Sequence, residues 1–219
     1  MQTKKTVLSI VVSVILVFSI LGNDIMTVRA EGKPTLESVL NYAELTPMTV
    51  YPRRSTYLYR NENCILTGSW GAEMWDEDLN TYTNYILSVI TTPEMNTYQK
   101  VKACYDWIIE HYNRGDWDEC YGYMDCYGYT DAFVYLTRAI GLNSYFVHGE
   151  THMASGGYTN HGWAVIIIDG TEYVFDPEID DVIAKGGKTG YYRFGKTYAE
   201  IPDKYIICDE DISLLFYYY

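Results

Sequence analysis

The 219-residue chain predicts an α+β fold in which helices pack on an antiparallel sheet. Three observations carry that prediction. Over Thr130–Leu142, residues Ala132, Phe133, Leu136, Ala139 and Ile140 recur at three- and four-residue spacing, the period of one helix face. From His161 to Pro177, two β-rich runs flank Asp169-Gly170, a strong signal for a two-residue hairpin turn. Upstream, Glu77–Ile90 and Thr97–Tyr112 repeat the helical period, the first on Leu79, Tyr82, Tyr85, Ile86 and Val89, the second on Val101, Tyr105, Ile108 and Tyr112.

Taken in order, Lys4 and Lys5 precede the apolar run Val7–Leu21, and Val28-Arg29-Ala30 ends in a small residue, the pattern of a secretory signal peptide over residues 1–30 cleaved after Ala30. The apolar run is shorter than the ~20 residues a membrane span needs, so no stable insertion is expected after cleavage and the chain is expected outside the cell. An uncleaved anchor is the alternative. The net charge is −13, and removing Lys4, Lys5 and Arg29 with only Asp24 makes it more negative, which disfavours nucleic acid and anionic membranes as partners. Residues 31–63 carry Pro34, Pro47 and Pro52 and read as an exposed lead-in with one short strand at Tyr57–Tyr59. Residues 64–219 are then one domain, its core at about 97–180.

Helix Glu77–Ile90 ends at Thr91-Thr92-Pro93, and the helix from Thr97 leads into the loop Asn113–Asp125, rich in Gly, Asp and Tyr, as a substrate-facing loop or an ordinary connector is. The loop delivers the chain to Cys126, at or just before the start of the helix that Gly141 stops. A helix N-terminus carries roughly half a positive charge, so a thiol there is expected to ionise more easily than its usual pKa of about 8.5.

The Asp169-Gly170 turn fixes the hairpin register. Pairing Ile168 with Thr171 sets Trp163 opposite Asp176, and alternation puts His161 on the same face as Trp163, diagonal to Asp176. Diagonal neighbours lie ~7–8 Å apart, within reach of an imidazole–carboxylate hydrogen bond. A thiol, an imidazole and an orienting carboxylate, in that chain order, are what nucleophilic acyl transfer needs.

The run Cys126-Tyr-Gly-Tyr-Thr-Asp-Ala-Phe133, with Arg138-Ala-Ile-Gly141, His161-Gly-Trp163 and Tyr173-Val-Phe-Asp-Pro177, resembles the core of the transglutaminase-like cysteine enzymes, and Tyr105-Asp-Trp-Ile108 resembles the helix before their catalytic loop. The resemblance spans about residues 97–180 and implies a papain-like Cys-His-Asp arrangement in a secreted bacterial protein. It implies Cys126 as nucleophile, His161 as general base and acid, and Asp176 as the group orienting the imidazole. Ala164 stands where family members often carry Asn, and Glu178 where many carry Thr.

Around these residues, Trp163 reads as a wall of the site, and Tyr121, Tyr123, Tyr127 and Tyr129 as groove-lining or sheet-packing aromatics. The Cys126 N–H is the expected oxyanion donor, with Trp117 or a loop tyrosine as the second. Cys64, Cys104, Cys120 and Cys208 either pair into two disulfides in one of three ways or are buried apolar thiols. His148 and His152 have a spacing that metal pairs use, but no carboxylate or thiolate pattern accompanies them, and Asp176, Asp180 and Asp181 do not match an EF-hand loop, so no metal or cofactor is assigned. Ile183–Gly195 reads as a flexible turn region, Lys204–Cys208 as a late strand extending the sheet, and Leu214–Tyr219 as a last edge strand.

The expected function is a cysteine-dependent acyl-transfer enzyme acting on amide bonds of a protein or peptide substrate, cell-surface peptides included. Hydrolysis is favoured because nothing identifies an amine pocket. The alternatives are Gln–Lys cross-linking and an idle module that binds surface peptide or glycan.

Overall fold

Strand β6 (Tyr158–Ile168) is the centre of a five-stranded antiparallel sheet ordered β8-β7-β6-β5-β9. The structure is a computed structural model that describes residues 33–46, 57–61, 64–68, 76–114 and 123–208. The other strands of this sheet are β5 (Ser144–His152), β7 (Thr171–Phe175), β8 (Phe194–Lys196) and β9 (Tyr205–Ile207). The β6–β7 turn is the one expected: Asp169 and Gly170 take φ of 50° and 73°, the left-handed pair of a tight hairpin. Ile168 pairs with Thr171, and the ladder runs to Ala164 opposite Phe175. One step further on, Trp163 and Asp176 come level.

Alternation divides the sheet. Ala164, Ile166 and Ile168 face a core shared with the helices, whereas Trp163 and Val165 join Val147, Val174 and Ile201 in a second cluster on the opposite face. The helices are α1 (Leu36–Tyr42), α2 (Asp76–Ile90), α3 (Thr97–His111), α4 (Cys126–Ile140) and α5 (Pro177–Lys185). Two small pairings accompany them: β1 (Tyr57–Asn61) with β2 (Cys64–Gly68), and β3 (Asn113–Arg114) with β4 (Tyr123–Met124).

Helix α4 is buried on every side from Gly128 to Arg138, as a helix enclosed by a core must be. Its polar side chains are accommodated by hydrogen bonds: Arg138 Nε donates to the Ser144 carbonyl at 2.6 Å, and the Thr137 and Ser144 hydroxyls lie 2.6 Å apart. Gly141 ends the helix at φ 107°, and its N–H returns to Arg138 O. Helix α3 begins with a capping box between Asn96 and Gln99 and buries Val101, Cys104, Tyr105 and Ile108.

Two segments differ from the sequence expectation. Residues 36–42, inside the stretch read as an exposed lead-in, form α1, capped by Thr35 and burying Leu40 completely. A seven-residue helix with one buried leucine leaves too short a pattern for periodicity to detect. The expected flexible turn region begins later than read, because Pro177–Lys185 is helix α5, with Pro177 in its first turn and Asp176 as N-cap. The late strand is β9 and does extend the sheet, pairing antiparallel with β5. The short strand at Tyr57–Tyr59 lies in β1. The expectations for residues 1–30, Trp117, Tyr121 and Leu214–Tyr219 fall outside the described residues. Among the described residues, no helix is long and apolar enough to cross a membrane.

Candidate functional site

Cys126 is the first residue of α4. Asp125 caps the helix from an extended backbone, its carboxylate accepting from Gly128 N at 3.0 Å, so the chain turns into the helix immediately before the thiol. Thr130 Oγ1 donates to the Gly162 carbonyl at 2.9 Å and ties the first turn of α4 to β6 beside His161. Glycine at 162 permits that approach: a Cβ there would sit 2.6 Å from Phe146 Cζ and 3.0 Å from Tyr127 Cδ1.

His161 and Asp176 are both buried, at 3% and 0% exposure, and the expected diagonal contact is made: His161 Nε2 lies 2.6 Å from Asp176 Oδ2. Asp176 has two further partners. Its Oδ1 accepts from Ile179 N at 3.1 Å as the cap of α5, and its Oδ2 accepts from the Tyr205 hydroxyl at 2.7 Å. The carboxylate is thus fixed from β6, α5 and β9 together. The imidazole lies near-parallel to two flanking rings, Trp163 at 6.2 Å and Tyr205 at 6.3 Å between centroids.

With Nε2 turned to Asp176, Nδ1 is the nitrogen left for the thiol. Burial lowers the His161 pKa, but the charge and hydrogen bond of Asp176, then the hydrogen bond and charge of Cys126, outweigh it and push the value up to about 11. The imidazole is therefore a cation at neutral pH, placed between a carboxylate and a half-buried thiol.

A second carboxylate stands at the same ring. Glu178, 3% exposed, has Oε2 3.7 Å from His161 Nδ1, while its Oε1 accepts from Arg114 Nε on β3. Burial and the Asp176 charge raise the Glu178 pKa, and the His161 and Arg114 charges only partly offset them. Its neighbours Asp180 and Asp181 are buried too, the first accepting from Tyr105 OH at 2.7 Å and from the Tyr192 and Arg193 backbone N–H groups, the second from Tyr129 OH at 2.6 Å and Lys185 at 2.7 Å. These bonds clamp α5, and with it the Asp176 cap, against α3 and α4.

The expected aromatic lining divides. Tyr127, half-buried next to Cys126, stacks on Phe146 at 5.4 Å and leans on His148. Trp163, expected as a wall of the site, is instead fully buried in the second core cluster, and its indole N–H donates to Tyr198 OH at 2.9 Å. Tyr129 is corrected from groove to core, since α4 is enclosed at that turn and its hydroxyl is committed to Asp181. The disulfide alternative is corrected as well. Cys104 and Cys208 are free, which removes all three ways of forming two disulfides, and Cys104 is a fully buried core thiol whose pKa burial pushes well up. Tyr205 and Arg114 were not legible, the first because nothing local specifies the register of β9, the second because its partner is distant in sequence.

His161, Asp176 and Glu178 offer donor atoms within 4.8 Å of one another, a grouping a metal ion can use. Both oxygens of Asp176 and Oε1 of Glu178 already accept hydrogen bonds from the protein, so a metal would have to displace them. Chemically, the arrangement is a cationic imidazole held by an anchored carboxylate, with a thiol near enough to raise the imidazole pKa.

No protein-family model and no curated protein matches the chain. Among solved structures, it is similar to a crystal structure of a candidate cysteine protease from Cytophaga hutchinsonii, with a TM-score of 0.37 and 18% identity over 45% of this chain. The match spans about a third of that protein, 37% of its length.

Proposed function

We propose that this chain is a cysteine-dependent acyl-transfer enzyme with a transglutaminase-like, papain-like arrangement, in which Cys126 attacks amide carbonyls, His161 moves the proton and Asp176 orients the imidazole. One observation carries the reading: a single buried imidazole takes Asp176 on Nε2 at 2.6 Å and has its pKa raised by the neighbouring Cys126, itself at the first position of a helix. His161, a cation at neutral pH, carries a proton on Nδ1. The Cys126 sulfur attacks the carbonyl carbon, and the oxyanion is held by the Cys126 backbone N–H at the start of α4, which has no acceptor within its helix. Collapse breaks the C–N bond as His161 gives its Nδ1 proton to the leaving amine. Water, deprotonated by His161, then cleaves the thioester and regenerates the thiol.

Hydrolysis of a peptide or protein amide is the favoured outcome, and the signal-like segment at residues 1–30 supports action outside the cell, on cell-surface material included. The test uses the chain from residue 31 with a Gln-containing peptide and a labelled primary amine, beside Cys126→Ala. Cysteine-dependent cleavage or deamidation without label supports the hydrolase, and cysteine-dependent label incorporation replaces it with Gln–Lys cross-linking. Inert behaviour of both proteins toward a broad peptide panel and a thiol-directed acylating probe overturns the enzyme reading in favour of a binding module.

A further inference from the structure

Glu178 has no task in the scheme above, yet it lies closer to the reacting nitrogen than a merely structural carboxylate needs to. Its Oε2 is 3.7 Å from His161 Nδ1, the nitrogen that serves Cys126, and its Oε1 is engaged by Arg114. The two ends of this ion pair differ sharply: the Glu178 side chain is 3% exposed and the Arg114 side chain 60%. A buried anion is therefore balanced by a cation that solvent, or a molecule docking on the surface, can reach.

We propose that Glu178, through its charge, holds the Nδ1 proton of His161 and opposes negative charge on the Cys126 sulfur, and that Arg114, by pairing with Glu178, weakens both effects. The inference rests on the assignment of Cys126 and His161 above. A negative charge beside Nδ1 stabilises the imidazolium and opposes a second negative charge on sulfur. Arg114 on Glu178 cancels most of that charge; withdrawn, it leaves Glu178 to hold the proton and disfavour the thiolate. Glu178 and Arg114 are thus positioning residues that set when the nucleophile is charged, and anything that draws Arg114 away slows the enzyme.

Among the described residues, the following other charged or titratable groups bear on this pair. Asp176 acts on Glu178 from the end of β7, Tyr129 faces it from α4, and Cys126 and Tyr205 bear on His161 from α4 and β9. Asp180 and Asp181 are committed to Tyr105 and Tyr129.

The experiment is the rate of iodoacetamide alkylation of Cys126, located by peptide mass spectrometry, across pH in the wild-type chain, Glu178→Gln, Arg114→Gln, the double variant and His161→Ala. The wild-type profile should rise into an ion-pair plateau and change again when the imidazolium loses its proton. In Glu178→Gln both changes should move down by about one pH unit, and in Arg114→Gln both should move up by at least about half a unit. The double variant should follow Glu178→Gln, since Arg114 acts through Glu178. Superimposable profiles for wild type and Arg114→Gln, or an Arg114 effect that survives in the double variant, overturn the inference. Should Glu178→Gln not fold, Arg114→Gln alone decides, its exposed side chain leaving the core intact. A wild-type profile unaffected by His161→Ala is a different result: it removes the triad assignment itself.

Discussion

Removing Asp176 tests the site and the fold together, because one carboxylate serves both. In Asp176→Ala the cap of α5 is lost, which costs about 1 kcal/mol. The His161 N–H, on a residue 3% exposed, and the part-buried Tyr205 hydroxyl lose their acceptor, and each such orphaned donor costs about 1–3 kcal/mol. The total is ~3–7 kcal/mol, a large fraction of a domain's stability. Asp176→Asn keeps the shape and one acceptor oxygen, which serves either the α5 cap or the Tyr205 and His161 side, and it loses the charge, so its pH-dependent cost arises through His161. The folded-state pKa of His161 is raised from 6.5 to about 11, so the stability it contributes is complete below pH 6.5 and is lost as pH rises toward 11. The gap between wild type and Asp176→Asn should therefore be widest near pH 6.5 and narrow steadily up to pH 10. Urea unfolding at pH 6.5, 8 and 10, followed by circular dichroism, reads both effects. An Asp176→Ala cost below about 1 kcal/mol, or a gap for Asp176→Asn that widens with pH, refutes the reasoning.

Other outcomes follow from the same geometry. Nitrogen NMR of His161 should show a protonated ring well above pH 7 in the wild type, and Cys126→Ala should lower that titration by removing the thiol's bond and charge. Gly149→Ala should destabilise by about 2 kcal/mol or more in thermal melts, since its Cβ would lie 2.1 Å from the Ile206 carbonyl and 2.8 Å from the Trp163 ring, prising β9 and with it Tyr205 off the site. Cys104 should resist native-state alkylation and react only on unfolding, with Cys126 labelled first, as peptide mass spectrometry would read.

The parts of this molecule governed by local rules were legible in the sequence. A two-residue turn at Asp169-Gly170 leaves one register, so the His161–Asp176 contact followed from alternation alone. Gly141 and the periodicity before it bounded α4, although the cap Asp125 went unread and the helix begins at Cys126 itself. Helix α5 escaped because its pattern contradicts the ordinary meaning of acidic residues. Acidic side chains are ordinarily exposed, yet Glu178, Asp180 and Asp181 are all buried, each held by a partner remote in the chain: Arg114, Tyr105 and Tyr129. No spacing rule encodes those pairings, since they exist only after α3, α4 and the sheet have met. The same holds for Tyr205, which reaches Asp176 because β9 returns to pair with β5.

The most direct measurement of the central claim is capture of an acyl group on Cys126. The chain from residue 31 is mixed with p-nitrophenyl acetate, quenched within the burst, and mapped by mass spectrometry beside Cys126→Ala and His161→Ala. The account predicts one acetyl group on the Cys126 sulfur, formed in step with a nitrophenolate burst, absent in Cys126→Ala and slowed at least about 100-fold in His161→Ala. Acetylation spread over other residues, or a rate on Cys126 indifferent to His161, would contradict it.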